Sequence, residues 1–215
     1  MKKSQCLDIV MFLLSPTQVC SSSLLEGRLN KLLSSFLSKT SKEQMIKKIS
    51  TVAMIISVTS VVIFLIIDYF SMTESLLMIW YFFSRCNQLS YRFYIDAIDS
   101  LGNNNKKTSL TSQDRIKLSL KSYLELTINF SIIYWLLTSV WTDIKITRTP
   151  NNILDCLYFS GVTITTLGYG DIAPTHWILK VLTIYEVFCG LIILIVCFAI
   201  YLGHNTSISL DIKRR

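Results

Sequence analysis

Histidine and proline are scarce in this chain, at two and three residues, and charged residues fill only 16% of its 215 positions. The six cysteines (Cys6, Cys20, Cys86, Cys156, Cys189, Cys197) form no CxxC pair or other metal spacing. A metal centre or a disulfide framework therefore has no pattern to rest on. Cys86, Cys189 and Cys197 fall in or beside apolar runs and read as small buried hydrophobes. A cleavable leader is not expected either. The first apolar run, LDIVMFLL at residues 7–14, is eight residues long and carries no small-residue cleavage site.

What is abundant is apolar surface. Hydrophobic residues make up 51% of the chain, and its mean hydropathy is +0.48. Residues 49–67 run nineteen positions without a charge, and residues 187–203 run seventeen. A helix needs about 20 apolar residues to cross about 30 Å of hydrocarbon. The composition predicts an integral membrane protein, all-α in class.

Residues 1–48 form the first unit. Within it, SSLLEGRLNKLLSSFLSKT repeats leucine and phenylalanine roughly every four positions, the period of an amphipathic helix. Such a helix either packs on the chain's own helices or lies on anionic lipid. Residues 49–101 hold two membrane helices. The second, beginning SLLMIWYFF, is too short to span alone and continues past Arg85 as an amphipathic rod. GNNNKKTS (102–109) is a loop, and the basic linker 102–121 includes an interfacial helix, DRIKLSLKS. Residues 122–203 hold a third span near 123–141, a short apolar segment near 152–164, and a final span from about Trp177 to Leu202. A basic tail, 204–215, is too short for a ligand-binding domain. Regulation is then expected through lipid, the N-terminal region or another chain.

Lysine and arginine set the orientation. Residues 1–48 carry eight, 102–121 five and the tail three, against none in 68–74 and three in 142–180. Four spans with both termini cytoplasmic place every basic loop inside, in a multi-pass protein of the cell membrane. The net charge of +7 is thus a topological signal, and nucleic acid is not an expected partner.

Residues 163–171 read TITTLGYGD. Glycine at alternate positions weakens a strand, so this is not an ordinary element. It follows a segment too short to span: a re-entrant half-helix, with Pro150 before it, Asn151 or Asn152 as its cap and Asp155 in its first turn. Irregular backbone at membrane depth survives only where it is buried in protein or lines a watery path. A column of carbonyls from Thr166, Leu167, Gly168 and Tyr169, with the Thr166 hydroxyl, would replace the water around a cation. Aligning successive carbonyls needs alternating backbone handedness, which Gly168 and Gly170 adopt cheaply. The half-helix C-terminus near Thr163 and Thr165 turns its negative dipole end toward that path.

LYFSGVTITTLGYGDIAP, with Gly190 twenty residues after Gly170, resembles the pore helix, filter and inner-helix glycine of potassium channels. Their TVGYG loops bind K⁺ through backbone carbonyls. The resemblance covers roughly residues 123–202 and is closest to small bacterial-type channels with extra N-terminal helices. It implies a K⁺-selective filter at Thr166–Gly170 that binds K⁺ at Thr166, Leu167, Gly168 and Tyr169. It also implies a homotetramer, passive conduction without a cofactor, and a channel rather than an enzyme. Tyr169 is expected to point away from the ion and brace against Tyr158 and Phe159. Many relatives carry tryptophan and glutamate where Phe159 and Val162 stand here, so Asp171 is expected to lack its usual partners. A non-conducting regulatory subunit is the other reading, though it would have no need to keep TTLGYG.

Charges inside the spans are few. Glu186 either hydrogen-bonds to the pore helix or a neighbour, or serves gating as a proton-sensing carboxylate. Glu125 and Asn129, four apart, suit an interhelical polar contact. Arg85 and Arg92 are seven apart and form no ladder of bases at every third residue, which argues against voltage gating. Arg85 is expected to pair with an acid or to snorkel. Gly190 as a hinge and Phe198 in an apolar constriction complete the gating candidates.

Overall fold

A computed structural model describes residues 42–66, 71–101, 112–141, 146–148 and 150–213. The expected amphipathic helix before residue 41 and the loop at 102–111 lie outside them. The described residues form five helices: α1 (Lys42–Ile66), α2 (Met72–Leu101), α3 (Ser112–Val140), α4 (Ile153–Ile164) and α5 (Trp177–Lys213). Among these residues the only strand-like pairing is one antiparallel bridge, Ile146 with Pro174. The all-α expectation holds.

Local chemistry starts the helices where they start. Ser71 Oγ accepts from Glu74 N at 3.4 Å while Glu74 Oε2 accepts from Ser71 N at 3.1 Å, a capping box that opens α2. The stretch SMTE reads as connector if only charge and hydropathy are followed, so α2 begins three residues before the expected Ser75. In α4, Asn152 Oδ1 accepts from Leu154 N (3.0 Å) and Asp155 N (3.1 Å), and Asp155 Oδ2 accepts from Asn151 N at 2.7 Å. Asn152 is therefore the cap, and Asp155 ties the preceding residue, Asn151, to the first turn. The interfacial helix and third span are one continuous helix, α3. At the other end, α5 continues eleven residues past the expected stop at Leu202. Neither glycine nor proline follows Gly203 to break it.

Among the described residues two helices are long and apolar enough to cross a membrane, Gln113–Val140 and Trp177–Phe198; the apolar part of α1, Ser50–Ile66, is shorter. α3 is the central post, touching α1, α2, α4 and α5. Leu126, Phe130, Ile132, Ile133 and Tyr134 on it are all fully buried. By contrast, only 28% of the apolar window of α5 is buried within the chain. An apolar helix left this bare belongs in lipid or against other chains, not in water. The chain is a membrane protein.

α2 is no outrigger. It packs on both α3 and α5, with Asn87 accepting a hydrogen bond from Tyr185 OH and the Phe83 ring 5.5 Å from that of Tyr185. The charged residues within the spans find partners between helices. Arg85 Nε lies 2.8 Å from Glu125 Oε1, and Ser57 Oγ donates to Asn129 Oδ1 at 2.7 Å. Arg85 thus pairs rather than snorkels, and Glu125 and Asn129 meet different helices, α2 and α1. Where the starts of α1 and α3 meet, Lys47 bridges to Asp114 at 2.9 Å and Lys121 Nζ donates to Thr51 Oγ1 at 2.7 Å.

Candidate functional site: the loop after α4

α4 ends by handing its carbonyls to the loop. Thr165 N donates to Gly161 O (3.2 Å), Thr166 N to Thr163 O (2.9 Å) and Leu167 N to Val162 O (3.0 Å). The Thr165 hydroxyl donates to Gly161 O at 2.6 Å. With the amides of 165–167 turned back on the helix, none of the carbonyls of Thr166–Gly170 takes a hydrogen bond among the described residues. Bare carbonyls are costly unless a polar guest fills in for the missing donors.

Backbone handedness alternates as the sequence requires. Positive φ occurs at Thr166 (60°), Gly168 (56°) and Gly170 (80°), and at no other described residue. Glycine takes this region freely, whereas a β-branched threonine there is strained by about 1–3 kcal/mol. Such strain persists only where the surroundings impose it, and it concentrates at functional sites. Leu167 and Tyr169, between the positive positions, are exposed in a single chain at 59% and 68%. Among the described residues nothing in the same chain covers Leu167 or Tyr169.

The support is built by three helices and one strap. Tyr123 OH, from α3, donates to Ile164 O at 2.9 Å and pins the end of α4. Ser160 of α4 meets both Thr127 O on α3, at 2.8 Å, and Glu186 Oε1 on α5. Tyr134 OH, again from α3, donates to Glu186 Oε2 at 2.7 Å. Thr147 straps the stretch after the loop: its amide donates to Ala173 O and its hydroxyl accepts from Ala173 N, both at 2.9 Å. None of Tyr123, Ser160, Tyr134 or Thr147 stands out in the sequence. Each is an ordinary hydroxyl in its own segment, and only the packing brings it to the loop.

The expected supports divide. Thr163 is buried, and Thr165 caps α4. Tyr158 lies beside Asp171, so the acid has a phenolic neighbour after all, one residue before the position from which none was expected. Phe159 is turned away from the loop: it is buried, with its ring edge-on to Tyr134 at 4.9 Å. Within one chain the expected brace of Tyr169 on Phe159 is not made, because α3 takes that ring. Glu186 is fully buried, and Gly190 lies against the end of α4. A Cβ on Gly190 would stand 2.6 Å from Ile164 Cγ1, so close approach requires glycine here irrespective of bending. Phe198 is 63% exposed. The bare face of α5 runs Trp177, Val181, Ile184, Phe188, Leu191, Ile195, Phe198, alternating steps of four and three. That is the 3.5-residue repeat of a helix keeping one seam toward other helices.

Residues 122–203 match the family described as ion channel. Over 38 residues, 18% of this chain, it is 50% identical to a protein named Potassium channel K2 from Plasmodium berghei (strain Anka). Over 53 residues, 25% of the chain, it is 45% identical to Two pore potassium channel a of Oryza sativa subsp. japonica. Within residues 122–203 the chain is similar to potassium channels. The matched stretches span only 3% and 15% of the length of these two relatives, so the likeness concerns a pore segment. No solved structure matches the chain.

Proposed function

We propose that this chain conducts K⁺ passively and selectively through a pore made by four copies of residues 122–203 around a common axis. The observation that carries the reading is the alternation of handedness at Thr166, Gly168 and Gly170 with the carbonyls between them unpartnered. Four such walls would ring each ion with oxygens from Thr166, Leu167, Gly168 and Tyr169, the arrangement that replaces a hydration shell. α4 points its C-terminal dipole end at the path and favours a cation.

On this reading α1, α2, α3 and α5 each cross the membrane, α4 enters and returns, and both termini lie in the cytoplasm with the basic segments. Basic residues near the inner surface, including those of the N-terminal region, suit anionic lipid. The uncovered seam of α5 becomes the contact between copies in its upper part and the wall of the inner mouth below. Phe198 and Ile195, both exposed, supply an apolar ring that opens and closes by wetting. Gly190 and Glu186 hold the inner helix to the pore helix, so gating acts across their contacts. Arg85 is tied to Glu125 and no base ladder accompanies it, so opening does not depend on voltage-driven charge movement.

Two measurements test this. Native mass of the purified protein should give four subunits; a conducting monomer would sink the geometry. Tyr169→Asp should assemble normally while admitting Na⁺, because a charged side chain disorders one rung of the carbonyl column. Unaltered K⁺ selectivity in that variant would show that these residues are not the filter.

A further inference from the structure

Glu186 is fully buried where α3, α4 and α5 meet, and its hydrogen bonds can be counted proton by proton. Ser160 Oγ lies 2.8 Å from Thr127 O and is also hydrogen-bonded to Glu186 Oε1. Two contacts need two protons. The serine hydroxyl has one to give, and the Thr127 carbonyl, an acceptor only, has none. If Ser160 donates to Thr127, the contact with Glu186 must be made by a proton on the carboxyl. An ionised Glu186 would instead draw the serine proton to itself and leave Ser160 Oγ and Thr127 O 2.8 Å apart with no proton between them in a dry site, an uncompensated cost. The remaining oxygen, Oε2, accepts from Tyr134 OH at 2.7 Å. Every member then has a role, in a chain of donation running Tyr134, Glu186, Ser160, Thr127.

Among the described residues the surroundings supply no cation to hold an ionised acid. α2 presents Cys86, α3 presents Tyr123 and Tyr134, α5 itself presents Cys189, and α4 presents the Ser160 hydroxyl. Beyond Cys86, Arg85 is engaged with Glu125. The ion pairs among the described residues are Lys47–Asp114 and Arg85–Glu125, and neither includes Glu186.

We propose that Glu186 is a neutral carboxylic acid, and that by donating its proton to Ser160 it ties the inner helix to the pore helix and so positions the filter. Ser160 sits six residues before Thr166, and Glu186 one turn before Gly190, so the tie joins the two pieces whose relative position sets the path. Losing the proton turns the single Ser160 hydroxyl from Thr127 O to the carboxylate, so the arm of the tie that reaches α3 through Thr127 is lost. The full tie therefore holds at lower pH and fails as pH rises. Glutamine keeps both capacities, an amide N–H for Ser160 and a carbonyl for Tyr134, and cannot ionise. Leucine keeps neither.

Infrared difference spectra of full-length protein in lipid at neutral pH, parent minus Glu186→Gln, test the protonation directly. The expected result is a protonated-acid C=O band in the parent that is lost in the variant. Ser160→Ala should shift that band, because the acid loses its acceptor. A carboxylate signal lost in Glu186→Gln in place of the acid band, or a band unmoved by Ser160→Ala, would overturn the proposal. K⁺ flux rests on the pore reading above and forms a separate arm. Flux should fall with rising pH in the parent, stay level in Glu186→Gln and be lost in Glu186→Leu. A pH response unchanged in Glu186→Gln would contradict the tie. The band with no K⁺ flux in any variant would uphold the neutral acid and refute the pore.

Discussion

Replacing Gly190 with alanine sets two effects of opposite sign against each other. Inside a helix the change should stabilise, because alanine is about 1 kcal/mol better than glycine there. Against this stands Ile164, whose Cγ1 would lie 2.6 Å from the new methyl. That atom is next to the branch point of a stiff side chain, not at its flexible end. Ile164 is itself buried, and its carbonyl is held by Tyr123, so it has little room to retreat. Overpacking of this kind costs about 1–3 kcal/mol, so the net effect is a destabilisation of up to about 2 kcal/mol per chain. The strain is delivered to the last residue of α4, two positions before Thr166. Thermal unfolding in detergent and K⁺ flux should both decline. The companion change Ile164→Ala removes the clashing atom, and the double variant should be more stable than the sum of the singles by about 0.5–3 kcal/mol. A raised melting temperature in Gly190→Ala alone, or additive singles, would show that the glycine is a hinge and not a contact.

Phe198→Ser should raise resting K⁺ conductance by wetting the inner mouth; an unchanged open probability in single-channel recordings would move the gate elsewhere. Arg85→Met alone should destabilise the fold by about 3–5 kcal/mol, since it strands Glu125 in a buried site. Pairing it with Glu125→Leu should restore most of that loss, because Arg85 Nη2 and Glu125 Oε2 already lack partners among the described residues. A double variant as weak as the single, by thermal melting, would refute this.

The loop was legible because its demands are local. Glycine at 168 and 170 and the Asn152 cap declare themselves by residue type and spacing, and the positive φ values and cap bonds fall on them. Thr166 did not: a β-branched residue at φ 60° runs against its own preference, and only the surrounding contacts hold it there. Gly190 was visible as a glycine but its reason was not, since the neighbour it admits is 26 residues away in the chain. Phe159 and Tyr158, both expected to brace Tyr169, part company because one helical position decides which ring faces α3 and which faces Asp171. The start of α2 was missed by following hydropathy past a capping box, and the length of α5 by stopping where the apolar run stops.

The most direct measurement is the reversal potential of purified protein reconstituted in lipid, with K⁺ on one side and Na⁺ on the other. A potential that follows the K⁺ gradient is what bare carbonyls at Thr166, Leu167, Gly168 and Tyr169 predict. A potential near zero with measurable current, or no current carried by K⁺, would contradict it.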